Sequence, residues 1–187
     1  MTKITAGVDE VGRGSLIGPV YAAAVILSKT INKKFLKDSK CLKKNKRDYL
    51  ANYIKKNSIW AIGKATQEEI ERLNILNASL LAMKRAIKKL RKKPNLVLID
   101  GNKLPKMKNY KLKSIIGGDK KIPAISAASI IAKVTRDKMI IKLGKKFKGY
   151  NWDKNFGYGT KNHLKAIRNI GITIHHRKTY SPMSKIK

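Results

Sequence analysis

Carboxylates are scarce in this chain of 187 residues, with 11 Asp and Glu against 44 Lys and Arg, and several of the few present recur in one kind of setting. The apolar run Ile4 to Val8 ends in Asp9-Glu10 and then breaks into Gly12-Arg13-Gly14. Leu96 to Ile99 ends in Asp100 followed by Gly101-Asn102, and Lys111 to Ile116 leads through Gly117-Gly118 to Asp119. A β-type apolar run that delivers a carboxylate to a glycine-rich turn puts charge at the edge of a core, where it can hold a hard cation. If neighbouring strands carry these segments, the four carboxylates converge, and protonation or divalent cations relieve their repulsion. Oxygen donors without accompanying Cys or His pairs point to Mg²⁺ or Mn²⁺ rather than Zn²⁺. His163, His175 and His176 come late and have no zinc-type spacing to cysteines, since Cys41 stands alone. Any one of these acids taken singly is well explained as the cap of a turn; the recurrence of the pattern is what calls for chemistry.

The formal net charge of +33 draws polyanions and argues for nucleic acid ahead of an acidic protein partner. Of the 44 cations 36 are Lys, in a chain also rich in Ile and Asn, so part of the excess reflects the coding bias of an A+T-rich genome. Metal-bound carboxylates in a strongly basic protein suggest two-metal phosphodiester hydrolysis, with ions roughly 3.5–4 Å apart activating a water and stabilising the leaving oxygen. Two other readings stay open on composition: a branched-DNA nuclease, which also uses clustered acids, and a non-catalytic basic RNA-binding protein, which leaves the strand-end acids unexplained. A lone cysteine excludes an intramolecular disulfide and makes a reducing compartment the default, with Cys41 expected as a half-buried thiol near a loop. The longest apolar runs, Tyr21 to Leu27 and Ile125 to Ala132, are too short to span a bilayer, and the first residues lack an export signal, so a cytoplasmic protein is expected.

The elements that must position the acids are legible in outline. Ile4 to Asp9 and Val20 to Leu27 read as an antiparallel strand pair, followed by a polar loop from Lys29 to Lys40. Leu50, Tyr53 and Ile54 give Lys43 to Lys56 a helical spacing, and Trp60 to Ala65 reads as a third strand. Thr66-Gln67-Glu68-Glu69 is a capping box, which gives Glu68 and Glu69 a structural task at a helix start. Ile75 to Leu90 carries one apolar helical face with Met83 as core filler. Leu96 to Asp100 and Lys111 to Ile116 read as strands, Ser126 to Leu143 as a helix, and Thr160 caps a last helix to about Asn169. Asp137 lies inside a predicted helix beside Arg136 and reads as structural. The order of elements implies a mixed α/β domain with a helical C-terminal part.

Several ordered blocks resemble bacterial ribonuclease HII, the type 2 ribonuclease H family: AGVDEVGRGSLIGPV at 6–20, DSKCL at 38–42, NILNASLLAMKRA at 74–86, IDGN at 99–102, GGDKKIPAISAASIIAKVTRD at 117–137, GYGTKNH at 157–163 and HHRKTYSP at 175–182. The resemblance implies a ribonuclease-H-like mixed β-sheet flanked by helices with a helical C-terminal extension. It divides the chain into a catalytic domain at 1–145 and a substrate-contacting helical segment with a basic tail at 146–187, the two expected to form one structural unit. It makes Asp9, Glu10, Asp100 and Asp119 the metal-binding catalytic acids, with Mn²⁺ or Mg²⁺ as cofactor. Gly12, Arg13, Gly14 and Tyr158 would recognise the ribonucleotide at an RNA–DNA junction, and Lys40 would join them in binding substrate. Glycines let the backbone approach a sugar edge, and a tyrosine can stack on the sugar while sensing the 2′-hydroxyl.

The implied activity is cleavage of the RNA strand of RNA–DNA hybrids and nicking 5′ of a ribonucleotide embedded in duplex DNA, leaving 3′-hydroxyl and 5′-phosphate ends. A monomer acting on nucleic acid and not on membranes is expected, with contact to a sliding clamp left open. Where the family usually has His-Lys-Gly before the tyrosine motif, this chain has Asn155-Phe156-Gly157, which removes a cation near the substrate. The sister type HIII enzymes carry an additional N-terminal substrate-binding domain, for which a first strand starting at residue 4 leaves no room.

Overall fold

A computed structural model describes residues 4–36 and 43–185; Lys40 and Cys41, and with them the expectations attached to both, lie outside the described residues. Among the described residues five strands form one sheet: β1 (Thr5–Val11), β2 (Val20–Ile26), β3 (Ile59–Ala65), β4 (Leu96–Asp100) and β5 (Leu112–Ile115), in the order β3-β2-β1-β4-β5. β1, β2 and β3 are antiparallel neighbours, whereas β4 runs parallel to β1 and β5 parallel to β4. The parallel pairing of β1 with β4 brings the carboxyl ends of both strands, and so Asp9, Glu10 and Asp100, to the same end of the sheet.

Among the described residues six α-helices surround it: α1 (Lys44–Asn57), α2 (Gln67–Lys88), α3 (Gly118–Lys121), α4 (Pro123–Lys146), α5 (Trp152–Asn155) and α6 (Lys161–Ile170). β2 is buried along nearly its whole length and carries Ala22, Ala23 and Ala24 at its centre, so helices can approach it closely from both faces. One apolar cluster joins alternate residues of β1, β2 and β4 to Ile70, Ala78, Ala82, Met83, Ala86 and Ile87 of α2. The opposite cluster joins Ala23 and Val25 to Leu50, Ala51 and Ile54 of α1 and to Ala127, Ala128 and Ile131 of α4. Gly7 sets the distance of α4 from β1, because a Cβ there would collide with the main chain of Ala124. Burying apolar surface on both faces supplies the main stabilisation of this layered arrangement.

Local signals and structure agree closely at the start of α2. The Thr66 hydroxyl accepts from Glu69 N at 3.2 Å while the Glu69 carboxylate accepts from Thr66 N at 2.9 Å. Arg85 then grips the same carboxylate with two bonds of 2.7 and 2.6 Å across a break in the helix at Asn74, where φ is 64°. That charge-assisted pair holds the Glu69 carboxyl down to about 2. Two expectations need correction. α4 begins at Pro123, not Ser126, because a proline fits the first helical position where no N–H is needed. Asp119 sits in the single turn of α3 and not at a strand end, since β5 stops at Ile115 and Gly117 turns the chain with φ 64°.

The C-terminal part packs as a third cluster, in which Tyr150, Trp152, Ala166, Ile167 and Met183 enclose Leu16, Ile17 and Ile140. Residues 15–18 therefore run between two C-terminal segments. Leu16 N donates to Gly157 O at 2.8 Å, Gly18 N to His175 O at 2.9 Å, and Arg177 N to Leu16 O at 2.9 Å.

Candidate active site

Asp9 and Glu10 at the end of β1 and Asp100 at the end of β4 line one cavity of about 360 Å³, completed by Val11, Arg47, Ser129, Ile130 and Lys133. α1 supplies Arg47 and α4 supplies Ser129, Ile130 and Lys133, so the cavity lies between the sheet end and that helical face. Asp9 is only 5% exposed. Burial first, and then the neighbouring Glu10 charge, push its carboxyl well above the ordinary range, against a hydrogen bond from the Ser129 side chain. Burial likewise raises Glu10, opposed by Arg13, whose Nη1 lies 3.3 Å from Glu10 Oε1. The other oxygen, Glu10 Oε2, is buried without a hydrogen-bond partner.

Asp100 is held from behind: its Oδ1 accepts from Gly118 N at 2.7 Å and, more weakly, from Asp119 N at 3.4 Å. Asp119 is thus adjacent to Asp100 through the main chain. Its own buried side chain lines a small neighbouring cleft with Leu36, Lys120 and Ser126 and does not line the main cavity. Among the described residues no three His, Cys, Asp or Glu side chains already close to metal-ligating distances. The donor chemistry nonetheless fits a hard divalent cation: oxygen ligands only, two carboxyls pushed up by burial, and a buried oxygen lacking a partner.

The sequence matches the model of the ribonuclease HII family over residues 6–181. A ribonuclease HII of Pelagibacter ubique is 72% identical over 184 residues, covering 98% of this chain and 99% of the relative. This chain belongs to the ribonuclease HII family. It is an endoribonuclease, a hydrolase of the ribonuclease H type. Solved structures agree in fold. The ribonuclease H2 of Pyrococcus horikoshii superposes with a TM-score of 0.78 at 25% identity, covering 97% of this chain and 95% of that one. A ribonuclease HIII, Bst-RNase HIII in complex with Mn²⁺, superposes with a TM-score of 0.74 at 18% identity, covering 98% of this chain and 68% of that one.

Around this ribonuclease HII cavity the structure gathers residues that strand-end acids do not announce. Lys133 Nζ bonds Asp137 at 2.9 Å and lies 4.8 Å from the Phe156 ring and 5.8 Å from the Tyr158 ring, so it joins the acid cavity to the tyrosine loop. A cation therefore stands over Phe156, supplied from α4 and not from the loop. Asp137 is buried and paired to Lys133. The signal that could have found Ser129 and Lys133 is their spacing with Asp137, at i, i+4 and i+8 on one side of the helix.

Tyr158 is half-buried and its carbonyl is fixed. Trp152 Nε1 donates to His163 Nε2 at 2.9 Å. Because an indole N–H only donates, that ring nitrogen must be the acceptor, and His163 Nδ1–H then donates to Tyr158 O at 3.0 Å. His176 Nδ1 accepts from Thr173 N at 2.8 Å. Burial lowers all three histidines, and His176 reaches about 4 with the neighbouring His163 as the second cause. The histidines are neutral packing and positioning groups. The Gly12-Arg13-Gly14 turn lies next to this cluster, with Arg13 and Gly14 exposed.

Proposed function

We propose that this enzyme hydrolyses the RNA strand of RNA–DNA hybrids and nicks duplex DNA 5′ of a single embedded ribonucleotide, leaving 3′-hydroxyl and 5′-phosphate ends. The observation that carries the reading is one cavity at the carboxyl ends of two parallel strands, lined by Asp9, Glu10 and Asp100 and flanked by Arg47 and Lys133. Asp9, Glu10 and Asp100 would hold Mn²⁺ or Mg²⁺, with Asp119 as the fourth acid next to Asp100. Divalent cations held there would lower the pKa of a bound water and stabilise the leaving oxygen. Gly118 N fixes Asp100, and the Ser129 side chain bonds Asp9, so two of the acids are oriented before substrate arrives. Arg47 and Lys133 attract the phosphate backbone to the same opening.

Gly12, Arg13, Gly14 and Tyr158 would read the ribose. Tyr158 supports this by lying within reach of Arg136 and of Lys133, which lines the acid cavity. Lys40 would add a substrate contact from the DSKCL block. No helix among the described residues is long and apolar enough to cross a membrane, and the enzyme would act in the cytoplasm as a monomer, in two parts at 1–145 and 146–187. Incubation of a duplex carrying one ribonucleotide with Mn²⁺, then with EDTA, tests the reading. Metal-dependent nicking 5′ of the ribonucleotide is expected, and cleavage of all-DNA or branched duplex at a comparable rate would refute it. Tyr158→Ala should weaken nicking at the ribonucleotide much more than binding to all-DNA duplex, because phosphate contacts supply most of the affinity. Equal losses would make Tyr158 a packing residue.

A further inference from the structure

Arg177 is completely buried. Its guanidinium bonds main-chain oxygens of the 12–18 segment: Nη2 donates to Gly12 O at 2.7 Å, Nη1 to Arg13 O at 2.8 Å, and Nε to Gly18 O at 2.9 Å. The Tyr180 hydroxyl accepts from Nη1 at 3.2 Å and donates to Arg13 O at 2.9 Å, so this carbonyl is held twice. No ion pair found among the described residues includes Arg177. A buried cation compensated only by carbonyl dipoles and one tyrosine hydroxyl is a poor device for stability, and an apolar residue of similar volume generally serves better. What the guanidinium does that an apolar side chain cannot is fix the orientation of several peptide groups at once, with a planar fork of donors.

The consequence follows from peptide geometry. In a trans peptide the N–H points opposite to the C=O. Drawing the carbonyls of Gly12 and Arg13 inward therefore turns the N–H groups of Arg13 and Gly14 outward, on the side where both residues are exposed and where a Cβ on Gly14 would meet no atom within 4 Å. Arg136 closes the arrangement on the other flank. A Cβ at Gly12 would collide with its Nε, while its Nη1 donates to Phe156 O at 3.1 Å and its Cζ lies 5.5 Å from the Tyr158 ring.

We infer that Arg177, with Tyr180, is the positioning element that aims the main-chain amides of Arg13 and Gly14 at the ribose of the substrate and thereby sets discrimination between ribonucleotide and deoxyribonucleotide. The inference rests on the proposed reading that this turn contacts the ribose. Three variants separate the two claims: Arg177→Lys, which keeps a cation but not the fork; Tyr180→Phe, which removes only the hydroxyl; and Gly14→Ala, which adds a methyl in open space on the exposed side. For each, kcat/KM on a duplex with one ribonucleotide is compared with the affinity for an all-DNA duplex of the same sequence, below the unfolding temperature of the variant. Arg177→Lys should lower the first relative to the second by about tenfold and Tyr180→Phe by roughly threefold, in the range of the net contribution of an ordinary hydrogen bond. A residue needed only for folding would lower both in proportion to the folded fraction, and that result overturns the inference. If Arg177→Lys does not fold, Tyr180→Phe decides alone, and an unchanged ratio in it counts against the inference. If Gly14→Ala leaves the ratio unchanged, the ribose reading of the turn fails. If Gly14→Ala shifts it while the other two variants do not, only the positioning role fails.

Discussion

Two neighbouring regions at the end of β1 obey opposite electrostatic rules. At Asp9, Glu10 and Asp100 like charges share one cavity, the Asp9 and Glu10 carboxyls are pushed up by burial, and Glu10 Oε2 is buried without a partner. A few residues on, around Gly12 to Gly18, the buried groups are Arg136, Arg177, His163 and His176, and apart from Arg136 Nε and His176 Nε2 their ring and guanidinium nitrogens bond main-chain oxygens, side chains or Thr173. The first region is left electrostatically incomplete by the protein alone, as a site that gains its stabilisation from a ligand must be. The second is nearly complete without any ligand, and it spends its donors on holding main chain in place. On the proposed reading, chemistry and positioning thus fall to different residue types: carboxylates for the former, buried cations and neutral imidazoles for the latter.

The largest break in this comparison comes from removing an acid on the incomplete side. On the proposed reading, Asp100→Asn keeps the shape and the acceptor for Gly118 N but takes away a charged metal ligand. Cleavage should fall by more than about 100-fold, the scale of losing a preorganised electrostatic stabiliser, while the fold and duplex binding persist. Single-turnover cleavage in saturating Mn²⁺ measures this. Near wild-type rates would mean that Asp100 merely caps the turn into α3.

How much of this was legible in the chain follows the same division. β1 and β4 could be read because an apolar run ending in acid and glycine is a local pattern, whereas the parallel pairing that brings Asp9 and Asp100 to one end of the sheet is a long-range contact seen only in the structure. The capping box at Thr66 was legible for the same reason, since its partners are three residues apart. Arg177 was not, because its partners Gly12 and Gly18 lie 165 and 159 residues away in sequence and no periodicity marks them. An arginine in a chain with 44 basic residues looks like surface charge, and only packing reveals that it is buried. Asp119 reads as a strand-end acid because Ile115 and Ile116 favour a strand that leads toward it, whereas Gly117 in a left-handed conformation ends the run and starts a helical turn.

A smaller effect probes the completed side through pH. His176 is pushed down to about 4, whereas in the unfolded chain it titrates near 6.5. Between these values the unfolded state binds more protons than the folded one, so its contribution is fully present above about pH 6.5 and is lost as pH falls toward 4. His163 and His175, also lowered, add in the same direction. Thermal melts should therefore show Tm falling on acidification over this window by several degrees, the equivalent of roughly 1–3 kcal/mol. His176→Asn should flatten that dependence. A flat wild-type profile would mean that the cluster opens to water without cost.

The smallest expected effect reverses the sign and belongs to the incomplete side. Asp9 has its carboxyl raised well above normal by burial and by Glu10, so its neutral form is the one that the metal-free fold favours. A group raised in the folded state contributes stability at low pH and loses it as pH rises through its folded value, because ionisation then proceeds against burial and a neighbouring charge. Asp9→Asn removes that ionisation. In EDTA at neutral pH the variant should melt higher than wild type by roughly 2–4 °C, equivalent to about 1 kcal/mol in a chain of this size, and the difference should shrink toward zero in acid. Adding Mn²⁺ should cancel or invert it, since the wild type gains stability in proportion to the logarithm of metal concentration over Kd and the variant gains less. If the variant is less stable in EDTA at neutral pH, the Ser129 bond to Asp9 outweighs burial and repulsion, and the two regions at the end of β1 are less different than their geometry implies.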